Sequence, residues 1–329
     1  MTENVTRVVA VDIGGTHARF AIAEHDPHKG IALSEPSTLH THDHASFQTA
    51  WEEYRTQQGG TLPRAVAMAI AGPVGGDVIR FTNNPWIIRP ALVQTKLDAD
   101  RFTIVNDFEA VAHAVARAPD DQFLHLTGPD QPLGTHGTIS VLGPGTGLGV
   151  AHLWRSGTQY HVQATEGGHI DFAPLDQIED AILARLRKRH NRVSVERVVA
   201  GPAISDIYQT LAAMENRAIA EVDDVTLWTR GMEQSDSLAA AAVDRFCLSL
   251  GSVAGDIALA QGGFAGVVIA GGLGFRLKDT LLQSGFASRF VAKGRFEQLM
   301  RSIPVKLITH PQPGLFGAAA AYFSQHGDS

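Results

Sequence analysis

Short apolar runs alternate with polar segments along the chain, and most of the runs stop at Gly, Asn or Asp. Runs of this length that are rich in β-branched residues predict β-strands. Eight such runs are found, at residues 8–11, 20–23, 65–71, 102–105, 138–142, 149–153, 267–270 and 305–308.

Two other segments repeat apolar residues at intervals of three and four, the period of a helix. Residues 179–190 place Ala181, Ile182 and Leu186 on one stripe and end in a cluster of cations, which suits a helix C-terminus. Residues 238–260 are apolar over most of their circumference and predict a long, buried helix. Strands mixed with helices predict an α/β architecture.

The composition is that of a globular protein of more than one domain. The chain has 329 residues, 44% hydrophobic and 19% charged, which excludes disorder for its bulk. A net charge of −7 argues against nucleic acid as a partner. The apolar run at 8–11 is interrupted by Asp12, so we expect neither a signal peptide nor a membrane segment, and a cytoplasmic location. The single cysteine, Cys247, excludes an intrachain disulfide framework and a Cys-based zinc motif.

A glycine turn follows the first predicted strand. Glycine lets a ligand approach backbone N–H groups closely, so Gly14-Gly15-Thr16 offers several donors and a hydroxyl to a polyphosphate. Asp12, just before the turn, is placed to hold a hydrated Mg²⁺ against those phosphates. An ordinary tight hairpin is the alternative.

Two further glycine clusters favour the phosphate interpretation, because each follows a predicted strand: Gly145-Thr146-Gly147 and Gly271-Gly272. The first of them and the Gly14 turn both join two strand-like runs, which suits a duplicated fold. The chain contains no Gly-Lys dipeptide, so a P-loop is excluded, and the spacing at 143–149 does not match a dinucleotide-binding fingerprint.

A carboxylate follows the predicted strand at 102–105. Asn106 and Glu109 form a capping-box pattern, which places Asp107 in the first turn of a helix. Asp107 also lies at a strand end, where it can accept a proton from a substrate hydroxyl. The structural and catalytic interpretations are compatible, because a base on a capped turn is held rigidly.

Residues 165–171 gather a carboxylate and an imidazole around two glycines. Glu166 and His169 can both point at one ligand while the glycines let the backbone bend close. Glu196 next to Arg197 reads, by itself, as an ordinary surface pair. The histidines 40, 42 and 44 would share one face of an extended strand and could hold a transition metal there, although a solvated loop or edge strand is the simpler interpretation.

These motifs occur in an order that resembles the bacterial glucokinase family, in the group of actin-like, hexokinase-type sugar kinases without a Cys-rich zinc motif. The matching strings are Val11-Asp12-Ile13-Gly14-Gly15-Thr16, Asn106-Asp107-Phe108, Gly145-Thr146-Gly147-Leu148-Gly149, Glu166-Gly167-Gly168-His169-Ile170-Asp171, Ser194-Val195-Glu196-Arg197 and Ala270-Gly271-Gly272. The resemblance implies a two-domain actin-like ATPase (ribonuclease H-like) α/β fold with a cleft. It implies a small domain of residues 1–117 and 313–329 and a large domain of residues 118–312.

The resemblance also implies roles for matching residues. Asp107 would be the general base for ATP-dependent phosphorylation of the glucose 6-hydroxyl. The sugar hydroxyls would be held by Asn106, Asp107, Glu166, His169 and Glu196. ATP phosphates and Mg²⁺ would be surrounded by Asp12, Gly14, Gly15, Thr16, Gly145 and Thr146, with Asp12 reaching the metal through water and Gly271 and Gly272 nearer the nucleoside. Glucose and ATP are the implied ligands, and a homodimer is the implied assembly.

Two alternatives remain open at this point. A sugar-binding regulator of the same fold needs a DNA-binding segment, for which we expect no room ahead of the first strand. An actin-like ATPase without a small-molecule acceptor would not need Glu166, His169 and Glu196. Sugar-stimulated ATP use would distinguish a sugar kinase from such an ATPase.

Overall fold

The structure is a computed structural model that describes residues 5–81 and 84–327. Its strands are β1 (Thr6–Ile13), β2 (His17–Asp26), β3 (Gly30–Leu33), β4 (Ser37–His40), β5 (Ala65–Ile70), β6 (Ile79–Arg80), β7 (Ile87–Ile88), β8 (Arg101–Asn106), β9 (Phe123–Thr127), β10 (His136–Pro144), β11 (Leu148–Ser156), β12 (Gln159–Thr165), β13 (Gly266–Ile269) and β14 (Val305–Ile308).

The α-helices are α1 (Phe47–Gln57), α2 (Pro90–Leu97), α3 (Asp107–Arg117), α4 (Gln177–His190), α5 (Ala203–Met214), α6 (Asp224–Met232), α7 (Ser237–Gln261), α8 (Gly271–Arg276), α9 (Lys278–Gln283), α10 (Phe286–Val291), α11 (Glu297–Arg301) and α12 (Pro313–His326). The chain divides into two compact units: unit 1 is residues 1–119 and 310–329, and unit 2 is residues 120–309. The predicted domain boundaries stay a prediction.

Unit 1 is built on a sheet in the order β3-β2-β1-β5-β8, with β4 paired to β2. β1 runs antiparallel to β2 and parallel to β5, which is parallel to β8. Successive residues of β1 point to opposite faces, and both faces are covered: Val8 and Ala10 pack in one apolar cluster and Val9 and Val11 in another. Two-sided burial explains why β1 is a continuous apolar run rather than an alternating one.

Helices α3 and α12 pack together on one face of this sheet. The two helices lie very close together at Gly317, where a Cβ atom would lie 1.7 Å from the carbonyl oxygen of Ala110. A larger residue is therefore excluded at this position unless the helices separate.

Unit 2 is built on a sheet in the order β12-β11-β10-β13-β14-β9. β10 is antiparallel to β11 and parallel to β13, the same arrangement as β1 with β2 and β5. The two Gly/Thr turns, whose similarity suggested a duplicated fold, thus share the same topology. Each turn closes a hairpin whose first strand has a parallel neighbour. Helix α7 has the length and apolar composition of a membrane span, but 72% of its most apolar stretch is buried in the unit, as in a core helix.

The predicted strands and the two predicted helices are confirmed, with element ends that differ by up to a few residues. The polar composition of residues 118–137 is typical of a loop, yet β9 lies there and pairs with β14 at the sheet edge. Because β9 is an edge strand, most of its side chains are half-buried, and polar residues such as His125 and Thr127 are tolerated there. The sequence of β9 therefore lacks the apolar run that marks the other strands.

The three histidines do not share one face of an extended strand, and the simpler interpretation of a loop or edge strand fits them. β4 ends at His40, and residues 41–43 turn into a 3₁₀ helix. The His40 ring packs against that of His17, with centroids 4.6 Å apart, and His44 Nε2 lies 3.7 Å from Glu53 Oε2. Among the described residues no group of three His, Cys, Asp or Glu side chains is arranged to hold a metal ion.

Candidate active site

Both units carry candidate residues, and each unit assembles its own set. Unit 1 holds Asp12, Gly14, Gly15, Thr16, Asn106 and Asp107, and unit 2 holds Gly145, Thr146, Glu166, His169, Glu196, Gly271 and Gly272.

The first glycine turn closes the β1–β2 hairpin. The Gly14 N–H donates to the His17 carbonyl at 2.9 Å, and the carbonyls of Gly15 and Thr16 accept from the Thr41 hydroxyl and the Thr41 N–H, at 2.8 and 3.0 Å. Hydrogen bonds from Thr41 thus fix the positions of both carbonyl groups. Within residues 5–81 and 84–327, the N–H groups of Gly15 and Thr16 have no protein acceptor, as expected of donors to a phosphate.

Asp12 is a nearly buried carboxylate at the end of β1. It pairs across the hairpin with Arg19, whose Nη1 is 3.5 Å from Asp12 Oδ2, and its side chain is 23% exposed. Burial raises the pKa of Asp12 to about 6; Arg19 opposes the rise and the charge of Asp107 adds to it. A Cβ on Gly314, in the first turn of α12, would lie 2.7 Å from Asp12 Oδ2, so this glycine makes room for the carboxylate.

Asn106 and Asp107 lie at the junction of β8 and α3. The Asn106 side chain caps α3 by accepting from the N–H groups of Phe108 and Glu109, and its amide nitrogen donates to the Gly72 carbonyl at 3.1 Å. The predicted capping box is therefore confirmed. Asp107 Oδ1 accepts from the Phe108 N–H at 2.9 Å, and burial raises the pKa of Asp107 despite this hydrogen bond.

The second glycine turn closes the β10–β11 hairpin in unit 2. The Gly145 N–H donates to the Gly147 carbonyl at 2.8 Å, and the Gly145 carbonyl accepts from the Gly201 N–H at 2.7 Å. Glu196, in a 3₁₀ turn at Val195–Arg197, accepts the Leu148 N–H on Oε2 at 2.9 Å. The interpretation of Glu196 as an ordinary surface pair is wrong, because its carboxylate binds the exit of the glycine turn.

Glu166 precedes and His169 ends a one-turn 3₁₀ helix (Gly167–His169) that packs on β11. Their side chains are 90% and 56% exposed, and His169 Nε2 lies 3.7 Å from Glu166 Oε2. The glycines between them are required by contact, since a Cβ on Gly168 would lie 2.3 Å from the Leu148 carbonyl oxygen. The turn therefore approaches the same hairpin end that Glu196 contacts, and it keeps both side chains available to a ligand.

Gly271 and Gly272 begin the short helix α8, directly after β13. Gly271 has a φ of 81°, in the region that favours glycine, and a Cβ there would lie 2.9 Å from the Pro144 carbonyl oxygen. This contact puts the start of α8 beside the end of β10. The seven candidate residues of unit 2 are therefore gathered around one end of the β10–β11 hairpin.

Three residues with contacts to these groups were missed by the sequence analysis: Arg19, Arg192 and Gly314. Arg192 donates to the His169 carbonyl and pairs with Asp171, both at 2.6 Å, which fixes the Glu166–His169 turn to the strand-like segment before Glu196. The signal for Arg19 was present, because Asp12 and Arg19 stand symmetrically about the first glycine turn. Arg192 and Gly314 leave no such local signal.

Comparison with known proteins identifies the family. The glucokinase family model matches residues 9–326. A glucokinase from Zymomonas mobilis subsp. mobilis is 56% identical over 321 residues, which cover 98% of this chain and 99% of the relative. The crystal structure of a glucokinase from an Antarctic psychrotroph matches with a TM-score of 0.86 and 32% identity, covering 96% of this chain and 98% of that one.

A more distant structure extends the same comparison. The glucokinase from Balamuthia mandrillaris, crystallised in complex with glucose, has a TM-score of 0.78 at 20% identity and covers 98% of this chain and 94% of its own; at this identity it shows the fold alone. The predicted two-domain, actin-like α/β fold is confirmed by these similarities. With a family match over nearly the whole length and a relative more than half identical, this chain belongs to the glucokinase family.

Proposed function

We propose that this protein transfers the γ-phosphoryl group of ATP to the 6-hydroxyl of D-glucose, giving glucose 6-phosphate and ADP, with Asp107 as the general base. Membership of the glucokinase family makes the chain an ATP-dependent glucose kinase. The assignment of the base is supported by one observation above all: Asp107 is a half-buried carboxylate with a raised pKa, held on the first turn of a capped helix.

The proposed reaction asks little covalent chemistry of the protein. The Asp107 carboxylate accepts the proton of the 6-hydroxyl, the 6-oxygen bonds to the γ-phosphorus, and the bond from that phosphorus to the β–γ bridging oxygen breaks. A raised pKa brings the proton affinity of Asp107 closer to the working pH, which favours its use as a base. Its hydrogen bond from Phe108 fixes the carboxylate orientation.

Glucose is held, in this proposal, by Asn106, Asp107, Glu166, His169 and Glu196. Carboxylate acceptors make stronger hydrogen bonds to hydroxyls than neutral acceptors do. An epimer that leaves such an acceptor unpaired can lose as much as ~10⁴-fold in kcat/KM. The exposed carboxylate of Glu166 and the Oε1 of Glu196 are the acceptors that a sugar would engage.

The triphosphate is held, in this proposal, by the two glycine turns and by Mg²⁺. The residues fit the metal, because Asp12 is a nearly buried carboxylate whose charge Arg19 compensates only in part. Asp12 would hold hydrated Mg²⁺, which when bound neutralises charge that develops on the phosphate oxygens. Gly15, Thr16, Thr146 and Gly147 supply N–H donors to the phosphates, and Gly271 and Gly272 lie nearer the nucleoside.

The family resemblance suggests a homodimer, and the apolar run at residues 8–11 that Asp12 interrupts suggests a cytoplasmic location; we propose both. Light scattering coupled to size exclusion would report the mass directly, and a monomer at working concentration would refute the assembly.

The test of the activity is ADP release with ATP and Mg²⁺, alone and with glucose, mannose, fructose or N-acetylglucosamine. We expect strong stimulation by glucose. Stimulation by another sugar instead would move the specificity, whereas ATP left intact with every sugar would reject the kinase function.

The test of the base is Asp107→Asn. Asparagine keeps an oxygen that can accept from the Phe108 N–H, so the fold should persist, while kcat falls by about 10²–10⁴ because the base is lost. Glucose affinity should change little. Asp121→Asn, at an exposed position with no part in the site, removes one charge as the matched control. Turnover of Asp107→Asn close to that of the control would reject the assignment.

A further inference from the structure

Glu196 makes a contact that a sugar ligand does not require. Its Oε2 accepts the N–H of Leu148, the residue at which β11 leaves the second glycine turn, at 2.9 Å. In the part of the chain that the structure describes, no residue donates a hydrogen bond to its other oxygen, Oε1. One carboxylate therefore has one oxygen bound to the turn and one oxygen available.

The same carboxylate also lies against Gly147 of the turn. A Cβ on Gly147 would lie 2.5 Å from Glu196 Oε2 and 3.9 Å from Oε1. The φ of Gly147 lies outside the left-handed region, so its backbone is one that alanine can adopt. A methyl group at this position would therefore displace the Glu196 carboxylate and would not strain the backbone.

A second contact joins the two segments. The Gly201 N–H donates to the Gly145 carbonyl at 2.7 Å, so residues 196–201 bind the turn at both its entry and its exit. Between these points the N–H groups of Thr146 and Gly147 have no protein acceptor among the described residues and remain available to an anion. The position of Glu196 thus sets the position of the donors in the turn.

We propose that Glu196 is the positioning residue through which bound sugar orders the 145–147 turn for the phosphates of the nucleotide. This inference rests on the proposed function, in which Glu196 accepts a sugar hydroxyl and the turn contacts phosphate. A hydroxyl on Oε1 restrains the carboxylate, and the carboxylate restrains Leu148 and the turn through Oε2. Because coupling between two sites is reciprocal, nucleotide in the turn also strengthens glucose binding.

The first experiment follows the Leu148 amide in the wild-type protein by NMR or by hydrogen exchange, with glucose and without nucleotide. We expect glucose to shift the Leu148 resonance and to slow the exchange of this amide. If glucose binds by calorimetry and leaves the Leu148 amide unchanged, the proposal is overturned. If glucose does not bind at all, the proposed function fails and this inference fails with it, so the two failures are distinguishable.

The second experiment measures the affinity for AMPPNP with and without saturating glucose. For the wild type we expect glucose to tighten AMPPNP binding about tenfold, within the usual range of coupling between sites. Gly147→Ala places a methyl group against Glu196 Oε2 and should reduce that factor towards one. Glu196→Gln keeps an oxygen for the Leu148 N–H and loses the charge, so it should weaken glucose binding while it preserves the turn.

The control for Gly147→Ala is Gly75→Ala, at an exposed position in unit 1 that has no part in the proposed site. A Cβ on Gly75 would meet no atom within 4 Å, and its φ is also outside the left-handed region. This variant should bind glucose as the wild type does when nucleotide is absent, whereas Gly147→Ala should bind it more weakly. Equal glucose affinity of the two variants, or an undiminished coupling factor in Gly147→Ala, would show that sugar and nucleotide are coupled by some other route.

Discussion

Ionised Asp12 should lower the free energy of unfolding of the ligand-free protein, because burial disfavours its charge. Burial raises its pKa from the 3.8 of a free aspartate to about 6, and a difference of that size corresponds to about 3 kcal/mol against the ionised form in the folded state. The side chain is 23% exposed, and solvent there screens its charge, so about 3 kcal/mol is an upper bound. Asp12→Asn removes this charge and should therefore stabilise the ligand-free protein.

The sign of the pH dependence follows from linkage. Because the pKa is higher in the folded state, that state binds more protons than the unfolded chain between pH 3.8 and about 6. The favourable contribution of protonated Asp12 is complete below pH 3.8, is lost as the pH rises to about 6, and stays lost above that value. The stability difference between Asp12→Asn and wild type should thus be near zero at the acid end and largest above pH 6.

The assay is thermal or denaturant unfolding of both proteins from pH 4 to pH 8, without nucleotide or Mg²⁺. A gain of 1 kcal/mol corresponds to about 2–4 °C in Tm for a domain somewhat larger than unit 1. Asp77→Asn, at an exposed position in unit 1, is the control for removing an aspartate and should show no such rise. An Asp12→Asn protein that is no more stable than wild type at pH 8, or whose advantage shrinks as the pH rises, would refute the reasoning.

Three further perturbations test other contacts. The raised pKa of Asp107 predicts that kcat/KM falls on acidification with a midpoint above 3.8, and a pH–rate profile that stays flat down to pH 4 would contradict it. Gly314→Ala puts a Cβ 2.7 Å from Asp12 Oδ2, so Mg²⁺ titrations should show a higher metal requirement and kcat lower by up to about 100-fold; an unchanged titration would count against it. Gly317→Ala puts a Cβ 1.7 Å from a carbonyl oxygen of α3 and should cost about 1–3 kcal/mol in the free energy of unfolding, whereas Gly75→Ala, with no atom within 4 Å, should cost far less; equal stability of the two would disprove the tight packing.

The surroundings of Glu196 and Asp12 suggest a second property for each carboxylate beyond contact with a ligand. In the proposed function, Glu196 would bind sugar with one carboxylate oxygen while the other accepts the Leu148 N–H of the glycine turn. Burial disfavours the ionised form of Asp12, and a cation bound there would restore the charge balance. Both properties depend on atoms brought together from distant parts of the chain.

Local chemistry let the sequence alone predict much of the fold and the site. The capping box at Asn106 and Glu109 needs only neighbouring residues, and so does the glycine turn after β1. The long apolar helix α7 is visible because its buried face repeats with the helical period. The ordered glycine and acidic motifs gave the family resemblance, and the family is confirmed.

Tertiary structure decided what depends on long-range contact. β9 exists as a strand because β14 pairs with it across the chain, and the histidine segment turns at His40 where an extended strand was expected. Glu196 reads as a surface residue until the fold brings it to Leu148. The pKa of Asp12 rises only when the surrounding core excludes water from it and the charge of Asp107 comes near. Hydrogen bonds between near neighbours follow from short sequence patterns, whereas burial and pairing between distant segments are fixed only when the whole unit packs.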